Sequence, residues 1–417
     1  MSGAVAAHAA YNGSGTQGLA VTNKVHDDEG DVMSVFWNKN DTTRQLLYGA
    51  AVLEIPTSGG GASSFGGSQI FTVNNDIDCL GDMFAEVTVT AGTASATVLN
   101  FGLAAVISRV EFQVGTQIWQ TLESSDVLAV LNTELSEGAY DRFALQANGF
   151  VDDSGNRSAQ DYQMSLLPGK KATAYFHLPV LTKTLAPSLA KFADQTEDGY
   201  PMAAAPHQSV KIKLTYGEKT DIAAGCESIE VKLFAQHMIM CNEERQQMKS
   251  MPQGLPKRLK MTQNSSKTIS VSGASNIQNF DLDHFSLYAS HLIISLESTD
   301  TAWSVGIKNA ELKLNSSSYS GILKGQLLSA CTAESLGLYN NQYYVGGAFQ
   351  EQGMGYYVFP LASRAYGGSS VPLNRFDNIR LNVTFSGTTA PQGTINVTCC
   401  GETTALFKGG AASLAMY

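Results

Sequence analysis

Hydrophobic residues recur at every second position along much of this chain. In 84–90 (FAEVTVT) Ala85, Val87 and Val89 alternate with polar neighbours, in 109–115 (RVEFQVG) Val110, Phe112 and Val114 do, and in 210–217 (VKIKLTYG) Val210, Ile212, Leu214 and Tyr216 do. Ile229, Val231 and Leu233 repeat the pattern in 229–235 (IEVKLFA). Successive side chains of a strand point to opposite faces, so each segment predicts a strand with one dry face and one wet face. The same grammar returns later: Ala310, Leu312 and Leu314; then Ile379, Leu381, Val383 and Phe385; then Ile395, Val397 and Cys399. Helical spacing is rare. It is confined to 119–135 (WQTLESSDVLAVLNTEL), with Leu122, Val127, Val130 and Leu131 near one side, and to 185–195 (LAPSLAKFADQ). The Gly/Ser-rich 58–68 and the polar 275–280 (SNIQNF) read as separators, and no parallel β-α-β rhythm is visible.

A chain of 417 residues exceeds one ordinary core, so two large β domains are expected. The natural boundary lies in 241–262, which is dense in charge, contains Pro252 and Pro256 and has no apolar period. The expected organisation is an N-terminal arm at 1–30, small and Gly/Ala-rich, a first jelly roll at 31–243, a linker at 244–260 and a second jelly roll at 261–417. The expected fold class is all-β: two consecutive eight-stranded antiparallel jelly rolls with short helices in loops, an internal duplication.

Charge narrows the function. A net charge of −10 argues against wrapping a polyanion, because nucleic-acid affinity comes largely from Lys and Arg displacing counterions. No stretch reaches the roughly 18 apolar residues that span a bilayer, and 1–15 lacks the pattern of a secretory signal, so the expectation is a soluble intracellular product. Cys79, Cys226, Cys241, Cys331, Cys399 and Cys400 form no C-x-x-C pair and read as buried thiols.

Candidate chemistry is thin. Gly13, Gly15 and Gly18 match G-x-G-x-x-G but lack the flanking strand and helix that a dinucleotide site requires. His26, Asp27, Asp28, Glu29 and Asp31 form an acidic cluster without calcium-loop spacing. Asp281 and Asp283 would share one face of a strand, with His284 opposite; solubilising edge charges explain them better than acid–base catalysis. Lys257, Arg258 and Lys260 make a short basic patch in the linker, read as a solvated hinge, and Cys399 and Cys400 would point to opposite faces of one strand. No metalloprotease, nucleophile-elbow or phosphate-loop motif is present. A carbohydrate-binding or carbohydrate-active jelly roll is the alternative reading, but Trp37, Trp119 and Trp303 lie far apart in sequence.

Taken in order, these pieces resemble the double jelly-roll major capsid proteins of nucleocytoplasmic large DNA viruses, virophages and polinton-like viruses. The match is sharpest at Phe359, Pro360 and Leu361, followed by Pro372, Asn374, Arg375, Phe376, Asp377 and Asn378. It continues through Val110, Glu111, Phe112, Val114, Gly115, Gln117 and Ile118, through Phe176, Leu178 and Pro179, and through Leu406, Gly409, Leu414, Ala415 and Tyr417, with Lys408 where the family has Arg. The resemblance implies a non-enzymatic shell subunit that forms pseudo-hexagonal homotrimeric capsomers tiling an icosahedral virion. It implies neighbouring capsomers and minor capsid, cement and penton proteins as partners, with an internal membrane layer left open, no sequence-specific nucleic-acid contact and no cofactor. It further implies that Asn374, Arg375, Asp377 and Asn378 form a structural turn, with Arg375 and Asp377 pairing with backbone groups or with each other.

Overall fold

The strands that alternation predicts pair almost entirely antiparallel, and their order repeats. The computed structural model describes residues 24–26, 32–34, 48–74, 77–98, 102–135, 143, 146–147, 164–180, 199–240, 246, 255–270, 273–298, 306–325, 327–328, 354–362, 370–390 and 392–414. Eight principal strands build the first half: β1 (Tyr48–Ile55), β2 (Ser68–Thr72), β3 (Cys79–Ala91), β4 (Ile107–Val114), β5 (Gln117–Glu123), β6 (Lys171–Leu178), β7 (Val210–Tyr216) and β8 (Cys226–Met240). Eight more build the second: β9 (Leu255–Ile269), β10 (Ser275–Asp281), β11 (Tyr288–Ser298), β12 (Ile307–Leu314), β13 (Ser317–Ser318), β14 (Met354–Pro360), β15 (Ile379–Thr389) and β16 (Gly393–Lys408).

In the first half the sheets run β6-β3-β8-β1 and β2-β7-β4-β5; in the second they run β14-β11-β16-β9 and β10-β15-β12-β13. Adding eight to each strand of the first pair gives the second pair. The two halves are therefore copies of one topology, each a barrel-like sandwich of two four-stranded sheets.

The inner faces form the core. Ala85, Val87, Val89, Val110, Phe112, Ile212, Leu214 and Leu233 are buried in the first barrel, and Leu312, Leu381, Val383, Phe385, Val397 and Cys399 in the second. The outer face of β2-β7-β4-β5 is charged instead: part-exposed Arg109 and Lys213 cover a buried Glu111, at 3.2 and 3.6 Å.

Several expectations need correction. Residues 119–123 of the predicted helix belong to strand β5, because they pair with β4; the helix, α1, runs Ser124–Glu134. The separator 275–280 is strand β10, masked in the sequence by an inverted pattern in which Ile277 faces out and Gln278 faces in, its amide donating to the Ser275 carbonyl at 2.7 Å. The expected linker 244–260 is strand from Leu255 onward, so Lys257, Arg258 and Lys260 lie on β9 opposite Ala405, Thr404 and Glu402 of β16 rather than in a hinge. Strand β10 ends at Asp281, so Asp283 does not share a strand face with it. The 185–195 segment, Gly13, Gly15, Gly18, the acidic run after His26 and most of the 1–30 arm lie outside the described residues.

Phe385 is fully buried on β15, so Phe385→Ala is expected to cost about 3–5 kcal/mol in urea unfolding. Arg380→Ala on the same strand, where the exposed guanidinium pairs with Asp281 at 3.0 Å, is expected to cost under about 1 kcal/mol.

Candidate assembly site at the seam between the barrels

The turn marked by Asn374, Arg375, Asp377 and Asn378 comes first, because the sequence singles it out. Leu373–Arg375 forms one 3-10 turn, closed by the Phe376 N–H donating to the Leu373 carbonyl at 3.1 Å. The groups that hold the segment arrive from elsewhere. Asn315 Oδ1 accepts from the N–H groups of Asp377 (3.0 Å) and Asn378 (3.3 Å), and Asp283 Oδ1 accepts from Ile379 N–H at 2.6 Å, where β15 begins. Asn315 sits at φ 49, a left-handed conformation that Asn tolerates better than most residues. Arg375 and Asp377 point into solvent, and no ion pair joins them among the described residues. Backbone amides, rather than these two side chains, receive the contacts.

The Asp281, Asp283 and His284 cluster separates in the same way. Asp281 pairs with Arg380, Asp283 caps β15, and His284 Nε2 lies 2.9 Å from the Asn264 carbonyl. The carboxylates are occupied structurally.

Sequence reasoning missed the seam, where α1 of the first barrel lies over the outer face of the β14-β11-β16-β9 sheet and touches β11, β14 and β16. That face should be wet by alternation, yet it is dry. The row Asn264–Thr398–Ile293–Val358 crosses all four strands, and Thr398 and Ile293 have no exposure at all. The adjacent rows carry Thr262, Cys400 and His291 on one side and Asn396, Ser295 and Tyr356 on the other, each of them buried.

Asp126 in the first turn of α1 is the central polar contact. Its Oδ2 accepts from the Glu123 N–H (2.9 Å) and from Asn264 Nδ2 (2.7 Å), and its Oδ1 accepts from Thr398 Oγ1 (2.6 Å). One carboxylate thus caps its own helix and binds two strands of the other barrel. Burial pushes its pKa above the usual carboxylate range, against the lowering effect of those three donors. Beside it, Gln120 Nε2 of β5 donates to Thr262 Oγ1 of β9 at 2.9 Å.

His291 is the other buried titratable group. Ser290 Oγ lies 3.1 Å from the Cys400 carbonyl and 2.8 Å from His291 Nδ1, so the hydroxyl bridges the ring and the neighbouring strand. Burial drives the imidazole pKa down to about 3, which keeps the ring neutral.

Apolar contacts complete the seam. Tyr200 packs edge-on against Phe112 and Trp119 of its own barrel and against Phe407 of the other at a centroid distance of 5.3 Å. A strap after β16 returns across it: the His207 N–H donates to the Gly410 carbonyl (3.0 Å), and Gln208 Oε1 accepts from Ala412 N–H (2.7 Å). A side chain at Gly410 would run into the His207 ring, and its φ of +77 also favours glycine.

No protein-family model and no curated protein sequence matches the chain. Its fold does have solved counterparts. The PBCV-1 protein VP54, in a structure fitted into a cryo-EM reconstruction of the virophage Sputnik, superposes with a TM-score of 0.68 at 13% identity, covering 90% of this chain and 98% of that one. A quasi-atomic structure of the PBCV-1 capsid gives 0.66 at 14% identity, with 90% and 98% covered, and the Faustovirus major capsid protein gives 0.61 at 7%, with 90% and 93% covered. Near-complete coverage on both sides means that both barrels and their relative placement are shared. The chain is a double jelly roll. Its identity to these structures is too low to carry more than the fold, and the double jelly roll is what places α1 and the seam.

Three outcomes are expected. Asp126→Ala leaves three donors without their acceptor and should lower stability by about 3 kcal/mol. Asn315→Ala should cost about 2 kcal/mol, while Arg375→Ala and Asp377→Ala stay within about 0.5 kcal/mol, all read by thermal or urea unfolding. The folded pKa of His291 lies below the ordinary value of 6.5, so its contribution is complete above that pH and is lost as the pH falls from 6.5 towards 3; His291→Gln should flatten that part of the stability–pH curve.

Proposed function

We propose that this double jelly roll is a major capsid protein, a structural and non-enzymatic subunit that self-assembles as pseudo-hexagonal homotrimeric capsomers tiling an icosahedral shell. The observation that carries this reading is the seam. Two barrels of identical strand order are locked side by side by a buried carboxylate and an aromatic cluster, so the chain presents two equivalent barrels as one rigid block. Three such blocks offer six similar barrels to a lattice, an economical way to approximate sixfold packing. The similar folds of the Faustovirus major capsid protein and the PBCV-1 capsid support the same reading.

Within it, the 1–30 arm contacts neighbouring capsomers or an inner layer, 31–243 and 255–417 hold the two barrels, and the connection between them ends before Leu255. The turn of Asn374, Arg375, Asp377 and Asn378 serves the fold through its backbone amides, and its side chains perform no chemistry. The partners are further copies of the chain and the minor capsid, cement and penton proteins, with an internal membrane layer as a further candidate. The location is the virion capsid, assembled inside the host cell.

Light scattering after size exclusion, with negative-stain images of the same peak, tests this. A three-chain particle with a hexagonal outline is expected. A clean monomer would overturn the capsomer reading and favour the glycan-binding alternative.

A further inference from the structure

The two ends of the seam are held by different means. Strand β16 carries both: Thr398, which meets Asp126, lies nine positions before Phe407, which meets Tyr200. At about 3.3 Å per residue those contacts are about 30 Å apart. Around Asp126 the contact is broad, with α1 on β11, β14 and β16, β5 beside β9, and a donor for each carboxylate oxygen. At the Phe407 end the barrels meet through the Tyr200 ring and the two hydrogen bonds of the strap. Two polar atoms there are also left unpaired: Tyr200 Oη and Trp119 Nε1 are buried and have no hydrogen-bond partner among the described residues. Each gives up its hydration for nothing in return, a loss that opening this end would reverse.

The strap is a small unit of its own. Gly409 and Gly410, at φ +62 and +77, form the two-residue turn that folds Ala411–Leu414 back on β16, Lys408 facing Ala411 and Ala405 facing Leu414. From this hairpin the Gly410 carbonyl accepts from His207 N–H, and Ala412 N–H donates to Gln208 Oε1. Both partners lie in the stretch between β6 and β7 that also carries Tyr200.

We propose that residues 409–414 are a clasp that opens by itself, freeing the Phe407 end of the seam while the Asp126 end stays sealed and acts as the pivot. Closed, the clasp completes the rigid block. Open, it returns Tyr200 Oη and Trp119 Nε1 to water and leaves α1 on its sheet. Local opening is drawn from segments with few buried contacts, and a pivot sits where many are kept. Gly410 sets the closed position, since a Cβ there would lie 2.3 Å from the His207 ring.

Amide hydrogen exchange on the full-length protein in its native assembly state tests this. In the wild type the His207 and Ala412 amides are expected to share one protection factor, lower than that of α1. Gly410→Asn keeps a residue that tolerates the left-handed region but meets His207, so both amides should exchange roughly tenfold faster while α1 is unchanged. Adding His207→Ala should restore their protection. Nitration of Tyr200 by tetranitromethane, read by peptide mass, should rise in Gly410→Asn, which fraying of the strap alone would not produce. Protection factors that differ between the two amides or equal that of α1, a Gly410→Asn chain that loosens α1 equally, a double variant that stays loose, or a Tyr200 that stays unlabelled would overturn the clasp. Should Gly410→Asn fail to fold, the wild-type factors and Gln208→Ala, which removes only the Ala412 acceptor and should quicken both amides several-fold, decide the matter.

Discussion

A carboxylate taken out of water and shared between two barrels is the constraint around which this molecule is arranged. Asp126 has no solvent exposure, and an ion in that position is tolerable only if its lone pairs are filled. One donor is the amide of its own helix start; the others are Asn264 and Thr398 of the second barrel. Because Asn and Thr donors must meet a fixed carboxylate to within a few tenths of an ångström, the helix can sit on that sheet in essentially one way. Hydrophobic packing around Tyr200 and Phe407 supplies attraction but would tolerate sliding; the hydrogen bonds set the register.

The same constraint accounts for the composition of the covered face. A sheet face next to solvent carries charges, as Arg109 and Lys213 do over the buried Glu111 in the first barrel. A sheet facing a core carries aliphatics. The outer face of β14-β11-β16-β9 carries Thr, Ser, Asn, Cys and neutral His, residues small enough to let a helix approach and polar enough to satisfy it. His291 fits this pattern because its uncharged form is the one that burial selects.

Much of the fold was legible in the sequence because alternation is a direct imprint of a half-buried strand. Val87, Phe112, Leu214, Leu381 and Phe385 all sit on the inner faces that their spacing indicated. Legibility failed wherever the second face was also used. Strand β11, apolar on both sides from Leu292 to Ile294, has no alternation to read. Thr398 falls on the wet side of the alternation of Val397 and Cys399, and nothing local reveals that a helix more than a hundred residues earlier covers it and Asn264. The Asn374 to Asn378 turn was conspicuous as a string of polar residues, yet its anchors, Asn315 and Asp283, lie 62 and 96 positions away from the amides that they bind. Asp126 did leave a local trace as the third residue of its helix, in a capping box with Glu123, but its burial is a tertiary fact.

The spacing along the chain gives the seam a temporal meaning. Thr398 comes 272 residues after Asp126, and Ala412 comes 204 after Gln208. During synthesis the first barrel and its helix are complete long before β16 emerges, so the Asp126 carboxylate stays hydrated until the second barrel closes beneath it. Desolvation of that charge comes last, after its donors are in place. Docking of the barrels is therefore the last contact that the order of synthesis allows.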